Sequence, residues 1–101
     1  MPEQALLSVF LEQQLCDQVT DTLIASEHCN GFTLSPVQGY SKHHAQYDLK
    51  EQIAGYRQIF RLDILHSPEE QHHVLSLLAS VGSQHPMRYW ITPVLQHGTV
   101  S

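Results

Sequence analysis

The order in which two hydrophobic periodicities alternate along the chain is the feature that most constrains its fold. Short apolar runs without chain breakers predict strands, and apolar residues at helical spacing predict helices. The strands are predicted at residues 4–11, 32–37, 56–65 and 87–96, and the helices at residues 13–27 and 67–82. The second helix opens on Ser67-Pro68-Glu69-Glu70, which is typical of a capping box, and Gly82 ends it. The predicted order is therefore β-α-β-β-α-β.

This order is that of an α+β, ferredoxin-like βαββαβ fold, in which two helices cover one face of a four-stranded antiparallel sheet. The length of 101 residues suits a single domain over residues 1–101. In the first strand Leu7 and Val9 point one way, whereas Leu6 and Phe10 point the other. A strand that is apolar on both faces is usually buried on both. Because no other part of the chain is left to cover the second face, we expect a second subunit to cover it.

Composition and charge narrow the class of function. The formal net charge is -5 and Lys and Arg number only five, so we expect no nucleic-acid partner. No basic region precedes the first apolar run and no apolar run has the length of a membrane span, so we expect a cytoplasmic protein. A predicted helix separates Cys16 from Cys29, which predicts reduced thiols rather than a disulfide. Without a nucleophile elbow, a phosphate-binding loop or a His-Glu-x-x-His motif, we expect no enzymatic activity.

A long loop, at about residues 38–55, joins the second and third predicted strands. Loops longer than about 12–15 residues are usually functional or disordered. This loop contains His43 and His44, and Asp48 lies four residues beyond His44. Imidazole and carboxylate groups suit copper, zinc or nickel, so these three residues are predicted metal ligands, with simple solvent exposure as the alternative. Adjacent histidines alternate sides in an extended backbone, so a shared ion would recruit residues from a second subunit.

The chain contains eight histidines, and two further clusters leave alternatives open. His28 and Cys29 stand at the end of the first predicted helix, where they form either a soft-metal site or an inert helix terminus. His72 and His73 share the second helix with Glu69. They form either a surface metal site or a helical ion pair between residues four apart.

Three stretches carry a family resemblance. They are Gly-Phe-Thr-Leu-Ser-Pro-Val-Gln-Gly at residues 31–39, Leu-Lys-Glu-Gln-Ile-Ala-Gly-Tyr-Arg at residues 49–57, and Arg-Tyr-Trp-Ile-Thr-Pro-Val at residues 88–94. Over about residues 5–98 the chain resembles an uncharacterised family of small PII-like proteins, which belong with the nitrogen regulatory PII and CutA-like proteins. Members of this family are often encoded beside heavy-metal efflux pumps.

The resemblance implies a PII-like homotrimer in which residues 38–55 stand where PII proteins carry a long loop. In PII proteins that loop contacts membrane transporters and changes shape when a ligand binds between subunits. The chain would then be a signalling protein of metal homeostasis that acts on an efflux pump through this loop. The residues implied to contact a ligand or partner are Gly39, Tyr40, Lys42 and Arg57.

The resemblance leaves one alternative function, a binding module for a nucleotide or another small ligand in the cleft between subunits. The chain shows no basic, glycine-rich cradle for phosphate. A transition metal is therefore the favoured ligand and a nucleotide is the alternative.

Overall fold

A computed structural model describes residues 3–40 and 57–101 and confirms the predicted order of elements. The strands and helices of these residues are β1 (Gln4–Leu11), α1 (Cys16–Ile24), β2 (Thr33–Gly39), β3 (Arg57–His66), α2 (Gln71–Gly82) and β4 (Arg88–Val94). A single 3₁₀ turn precedes each helix, at Gln13–Leu15 and at Pro68–Glu70. The boundaries predicted for the four strands lie within two residues of those observed.

The four strands form one antiparallel sheet in the order β2-β3-β1-β4. The central strand β1 pairs with β3 and β4 on either side, so that Leu7 lies opposite Ile64 and Ile91. Both edge strands contain a proline, Pro36 in β2 and Pro93 in β4. Proline has no amide hydrogen to donate to a neighbouring strand, which restricts it to edges and bulges. Both prolines therefore lie on strands where the missing donor is tolerated.

The core lies between the sheet and the two helices. Alternate residues of the central strands point into it, and each helix adds residues spaced three or four apart. The buried apolar side chains that form the core are Leu7, Val9, Leu11, Leu15, Cys16, Val19, Leu23, Leu62, Ile64, Val74, Leu78 and Val81. The two helices therefore cover a single face of the sheet, as the ferredoxin-like order predicts.

The second face of the sheet also carries large apolar side chains. Leu6 and Phe10 are half-buried there, whereas Leu65 is 41% exposed and Trp90 44% exposed. The register confirms that these side chains share one face. Leu6 lies opposite Leu65, and Ser8 lies opposite Trp90 on the same side of β1 as Leu6. This surface is called the open face below. The second subunit expected to cover it stays a prediction.

Helix α1 ends three residues earlier than predicted. After Ile24 the chain turns, and the amide of Ser26 donates to the carbonyl of Leu23 at 3.1 Å. The side-chain oxygen of Ser26 then accepts a hydrogen bond from the amide of His28 at 3.1 Å. Serine side chains that bond to nearby backbone compete with helical hydrogen bonds. This turn ends the helix and directs His28 toward the start of α2.

The capping box predicted at the start of the second helix is absent. Ser67 has the extended backbone of a capping residue, but its side chain makes no capping hydrogen bond. The carboxylate of Glu70, which would complete the box, lies 2.6 Å from His28 instead. Glu70 therefore contacts the distant residue His28 in place of the nearby backbone of Ser67.

Candidate functional site

A cleft of about 720 Å³ opens at one end of the sheet. Strands β1 and β2 end at this place, and their antiparallel neighbours β3 and β4 begin there. The lining comprises the ends of β1 and β2, the starts of β3 and β4, and the connection that follows α2. We call this space the sheet-end cleft. Its volume lies in the range of about 300–1,000 Å³ that small-molecule sites occupy.

Aromatic rings from two adjacent strands form part of the cleft wall. The ring centroids of Phe10 and Trp90 lie 4.7 Å apart, with an angle of 50° between the ring planes. The guanidinium carbon of Arg61 lies 5.9 Å from the Phe10 ring, and that of Arg88 lies 5.9 Å from the Trp90 ring. Guanidinium groups at such distances are attracted to the faces of aromatic rings. The cleft thus offers flat apolar surface with two cationic groups beside it.

A hydrogen-bonded triad holds Arg61 in place. Its Nε atom donates to both carboxylate oxygens of Asp63 at 3.1 Å, and its Nη2 atom donates to Oγ of Ser8 at 3.3 Å. The Ser8 hydroxyl in turn donates to Asp63 Oδ1 at 2.6 Å. Ser8 is 1% exposed, so its hydroxyl needs partners inside the protein. Asp63 balances the charge of Arg61, which leaves Arg88 as the more available cation in the cleft.

Two of the predicted ligand or partner residues line this cleft. Gly39 ends β2, and the Tyr40 hydroxyl donates to Oε1 of Gln38 at 3.3 Å while its side chain stays 71% exposed. Arg57 is the first residue of β3 and pairs with Gly39 across the sheet. The predicted loop therefore leaves and rejoins the sheet beside the cleft.

The other predicted site residues lie outside the described residues. They are the predicted metal ligands His43, His44 and Asp48 and the predicted contact residue Lys42. Their roles stay predictions.

The sequence reasoning missed most of the residues of the cleft. Arg61 and Asp63 alternate along β3 with the core residues Leu62 and Ile64, so periodicity places them away from the core. The register adds a partner, because Ser8 lies directly opposite Asp63 in the neighbouring strand. A buried serine in the middle of an apolar strand is a signal that could have indicated the pair.

Both cysteines are free, as the sequence predicts. Burial raises the pKa of the Cys16 thiol, and the negative charge of Asp17 raises it further. Burial also raises the pKa of the Cys29 thiol, partly offset by a backbone hydrogen bond at Gly31. A raised pKa lowers the thiolate fraction, and the thiolate is the reactive form.

The comparison with protein families gives a match over residues 1–101 to DUF3240, described as a protein of unknown function. The chain belongs to the DUF3240 family. A crystal structure of a DUF3240 family protein from Shewanella baltica OS155 is 34% identical to this chain, covers 100% of both chains and superposes with a TM-score of 0.83. No curated protein matches the sequence.

The structural comparison also finds the same fold in a PII-like protein. A structure of CPII, a nitrogen regulatory PII-like protein from Thiomonas intermedia K12, is bound to ADP, AMP and bicarbonate. It is 14% identical to this chain, covers 96% of both chains and superposes with a TM-score of 0.70. The predicted membership of an uncharacterised family is thus confirmed by the DUF3240 match, and the predicted PII-like, ferredoxin-like fold is confirmed by the likeness to CPII. Among the described residues, no helix is both long and apolar enough to span a membrane.

Proposed function

We propose that this DUF3240 protein is a PII-like regulatory protein that binds a small anionic ligand in the sheet-end cleft. The observation that carries the proposal is the position of the cleft. The cleft combines an aromatic wall with the exposed cation Arg88, and it adjoins both ends of the segment that joins β2 to β3. A ligand held there would contact Tyr40 at the start of that segment. Ligand binding would then change the conformation of the segment, and this change would alter its contact with a partner.

The chemistry of the cleft favours a ligand with an anionic group and a flat apolar part. A guanidinium group binds carboxylate or phosphate through paired, charge-assisted hydrogen bonds. The rings of Phe10 and Trp90 would pack against a base or another planar group. CPII, which shares the fold, is bound to ADP, AMP and bicarbonate, and these three compounds are suitable probes for this chain. The nucleotide alternative predicted from the sequence therefore has a candidate site.

The protein has one tryptophan, and it lies where the cleft meets the open face, so its fluorescence reports on this part of the sheet. We expect the emission of Trp90 to change saturably when at least one of AMP, ADP or bicarbonate is titrated. Arg88→Gln should weaken the binding about 10- to 100-fold, because a hydrogen bond to a charged group contributes about 1.5–3 kcal/mol. Tyr89→Phe, which alters the next residue on the opposite side of the strand, is the control and should keep the affinity.

Two results would contradict the cleft as the ligand site. One is the absence of any saturable change with all three probes. The other is binding that Arg88→Gln and Tyr89→Phe leave equally strong. Native mass spectrometry of the same samples would report the subunit number, for which we propose a homotrimer that covers the open face.

A second candidate function is a metal-responsive regulator of heavy-metal efflux, as the family resemblance predicts. In this proposal His43, His44 and Asp48 bind copper, zinc or nickel, and the segment that carries them contacts a membrane efflux pump. The number of histidines, eight in 101 residues, favours it. Replacing His43 and His44 together with alanine should abolish binding of one metal ion per chain. Unchanged affinity in that double variant would rule out these residues as ligands.

A further inference from the structure

Three side chains of residue types that can bind metals meet at the end of the molecule opposite the sheet-end cleft. His28 follows α1, whereas Glu70 and His73 lie at the start of α2. One ligand atom from each residue lies within 4.8 Å of the other two. We call these three residues the His28–Glu70–His73 cluster. They come from two separate parts of the chain, so the fold rather than local sequence assembles them.

The orientation of the side chains in this cluster is well defined. Nδ1 of His28 lies 2.6 Å from Oε2 of Glu70. The rings of His28 and His73 are stacked, with centroids 4.0 Å apart and 7° between their planes. The ring of His72 lies 4.0 Å from that of His73, at an angle of 37°. Because stacked rings point their nitrogen lone pairs in parallel directions, binding of one shared ion requires the His28 and His73 rings to rotate out of the stack.

The charges around the cluster favour a cation. Glu70 contributes a carboxylate, and Oε1 of Glu27 lies 4.0 Å from Nε2 of His28. Glu69 adds a further negative charge in the first turn that leads into α2. The side chains of His28 and Glu70 are 35% and 40% exposed, which leaves the cluster open to ions from solvent.

We propose that His28, Glu70 and His73 form a binding site for one divalent transition-metal ion such as Zn²⁺ or Cu²⁺. Two imidazoles and one carboxylate are a common three-residue ligand set for zinc, with water in the fourth position. Nitrogen and oxygen ligands lie about 2.0–2.2 Å from zinc, so tetrahedral ligands lie about 3.3–3.6 Å from one another. Rotation of the side chains out of the stack would bring the ligand atoms, which lie within 4.8 Å of one another, to that separation.

The site differs from the metal ligands proposed between β2 and β3, because it shares no residue with them. It would also have a structural consequence. His28 belongs to the connection between α1 and β2, and the other two ligands belong to the start of α2. A bound ion would therefore link the segment after α1 to the start of α2. It would stabilise the folded state, since it binds the folded chain preferentially.

The test is titration of the full chain with Zn²⁺, measured by isothermal calorimetry and by native mass spectrometry. We expect one high-affinity ion per chain. His28→Asn and His73→Asn should each weaken it at least about tenfold, since even removal of an outer-shell partner of a ligand typically costs 10- to 100-fold. His85→Asn is the matched control, because His85 lies beyond the far end of α2, and it should bind as the wild type does.

The double variant of His43 and His44 separates this site from the other proposed one. If it keeps the high-affinity ion while His28→Asn loses it, the ion belongs to the His28–Glu70–His73 cluster. If His28→Asn and His73→Asn bind as tightly as His85→Asn, the proposal is wrong. Glu70→Gln keeps the shape of the side chain. Its Zn²⁺ affinity is measured in place of that of either asparagine variant which fails to give the wild-type circular dichroism spectrum. Ligand binding measured by Trp90 fluorescence tests the cleft independently of this result.

Discussion

Replacing Ser8 with alanine tests the triad that positions Arg61 at the sheet-end cleft. Ser8 is buried in the central strand, where its hydroxyl donates to Asp63 and accepts from Arg61. Alanine fits the same space and removes only the hydroxyl. The substitution therefore measures the contribution of these hydrogen bonds rather than that of packing.

The expected loss of stability follows from the partners that remain. A hydrogen bond to a charged group contributes about 1.5–3 kcal/mol, and the Asp63 side chain is only 22% exposed. However, Asp63 keeps both contacts with Arg61, so we expect the lower part of this range, about 1.5–2 kcal/mol. For a domain of this size 1 kcal/mol shifts the melting temperature by about 4–8 °C. Ser8→Ala should therefore lower the melting temperature by about 6–16 °C.

Thermal unfolding followed by circular dichroism measures this shift. Ser35→Ala is the matched control, because Ser35 is exposed on β2 and lies opposite Arg61 in the register. Exposed substitutions of this kind usually change stability by no more than about 0.5 kcal/mol. Equal melting temperatures for the two variants would refute the view that the triad stabilises the open face.

Two further predictions concern the cysteines and the open face. The raised pKa of Cys16 predicts slow alkylation by iodoacetamide at neutral pH, slower than for the half-buried Cys29. It also predicts that the stability from the neutral Cys16 thiol is present at neutral pH and is lost as the pH rises through its folded-state pKa. Mass spectrometry follows the alkylation, and reaction of Cys16 before Cys29 would contradict the first prediction. Unfolding at several alkaline pH values tests the second, which fails if the stability does not change. Leu65→Asp should dissociate an oligomer that covers the open face, whereas Leu95→Asp, at a residue 90% exposed beyond β4, should not. Sedimentation velocity compares the two, and an unchanged sedimentation coefficient for Leu65→Asp would contradict the expected interface.

The strands were predictable because their signals are local. The bounds of β1 were predicted without error, since an apolar run without breakers fixes both ends of a strand. The end of α1 was not predicted, because a single hydrogen bond from the His28 amide to Ser26 competes with the helix there. The start of the second helix shows the same limit, since Glu70 satisfies the pattern of a local cap yet contacts a residue 42 positions away.

The candidate sites were less predictable, because each depends on contacts between distant strands or helices. The sequence indicated that His28 and His73 were possible metal ligands in two separate clusters. It contained nothing to show that the turn after α1 brings these rings into contact. Likewise, periodicity places Arg61 and Asp63 on the outward side of β3, but their pairing with Ser8 depends on the register between β1 and β3. Periodicity predicts the face on which a side chain lies, whereas register determines its neighbour.

The sheet-end cleft and the His28–Glu70–His73 cluster lie at opposite ends of the sheet, and this determines how their functions can be separated. Strand β2 begins shortly after His28 and ends at Gly39 in the cleft, and it pairs with β3 along its whole length. Strand β3 in turn leads to Glu70 at the other site. Because no residue belongs to both sites, a variant at one leaves the ligands of the other in place. Any effect of a metal ion on ligand affinity in the cleft would, by thermodynamic linkage, be matched by an effect of the ligand on metal affinity by the same factor.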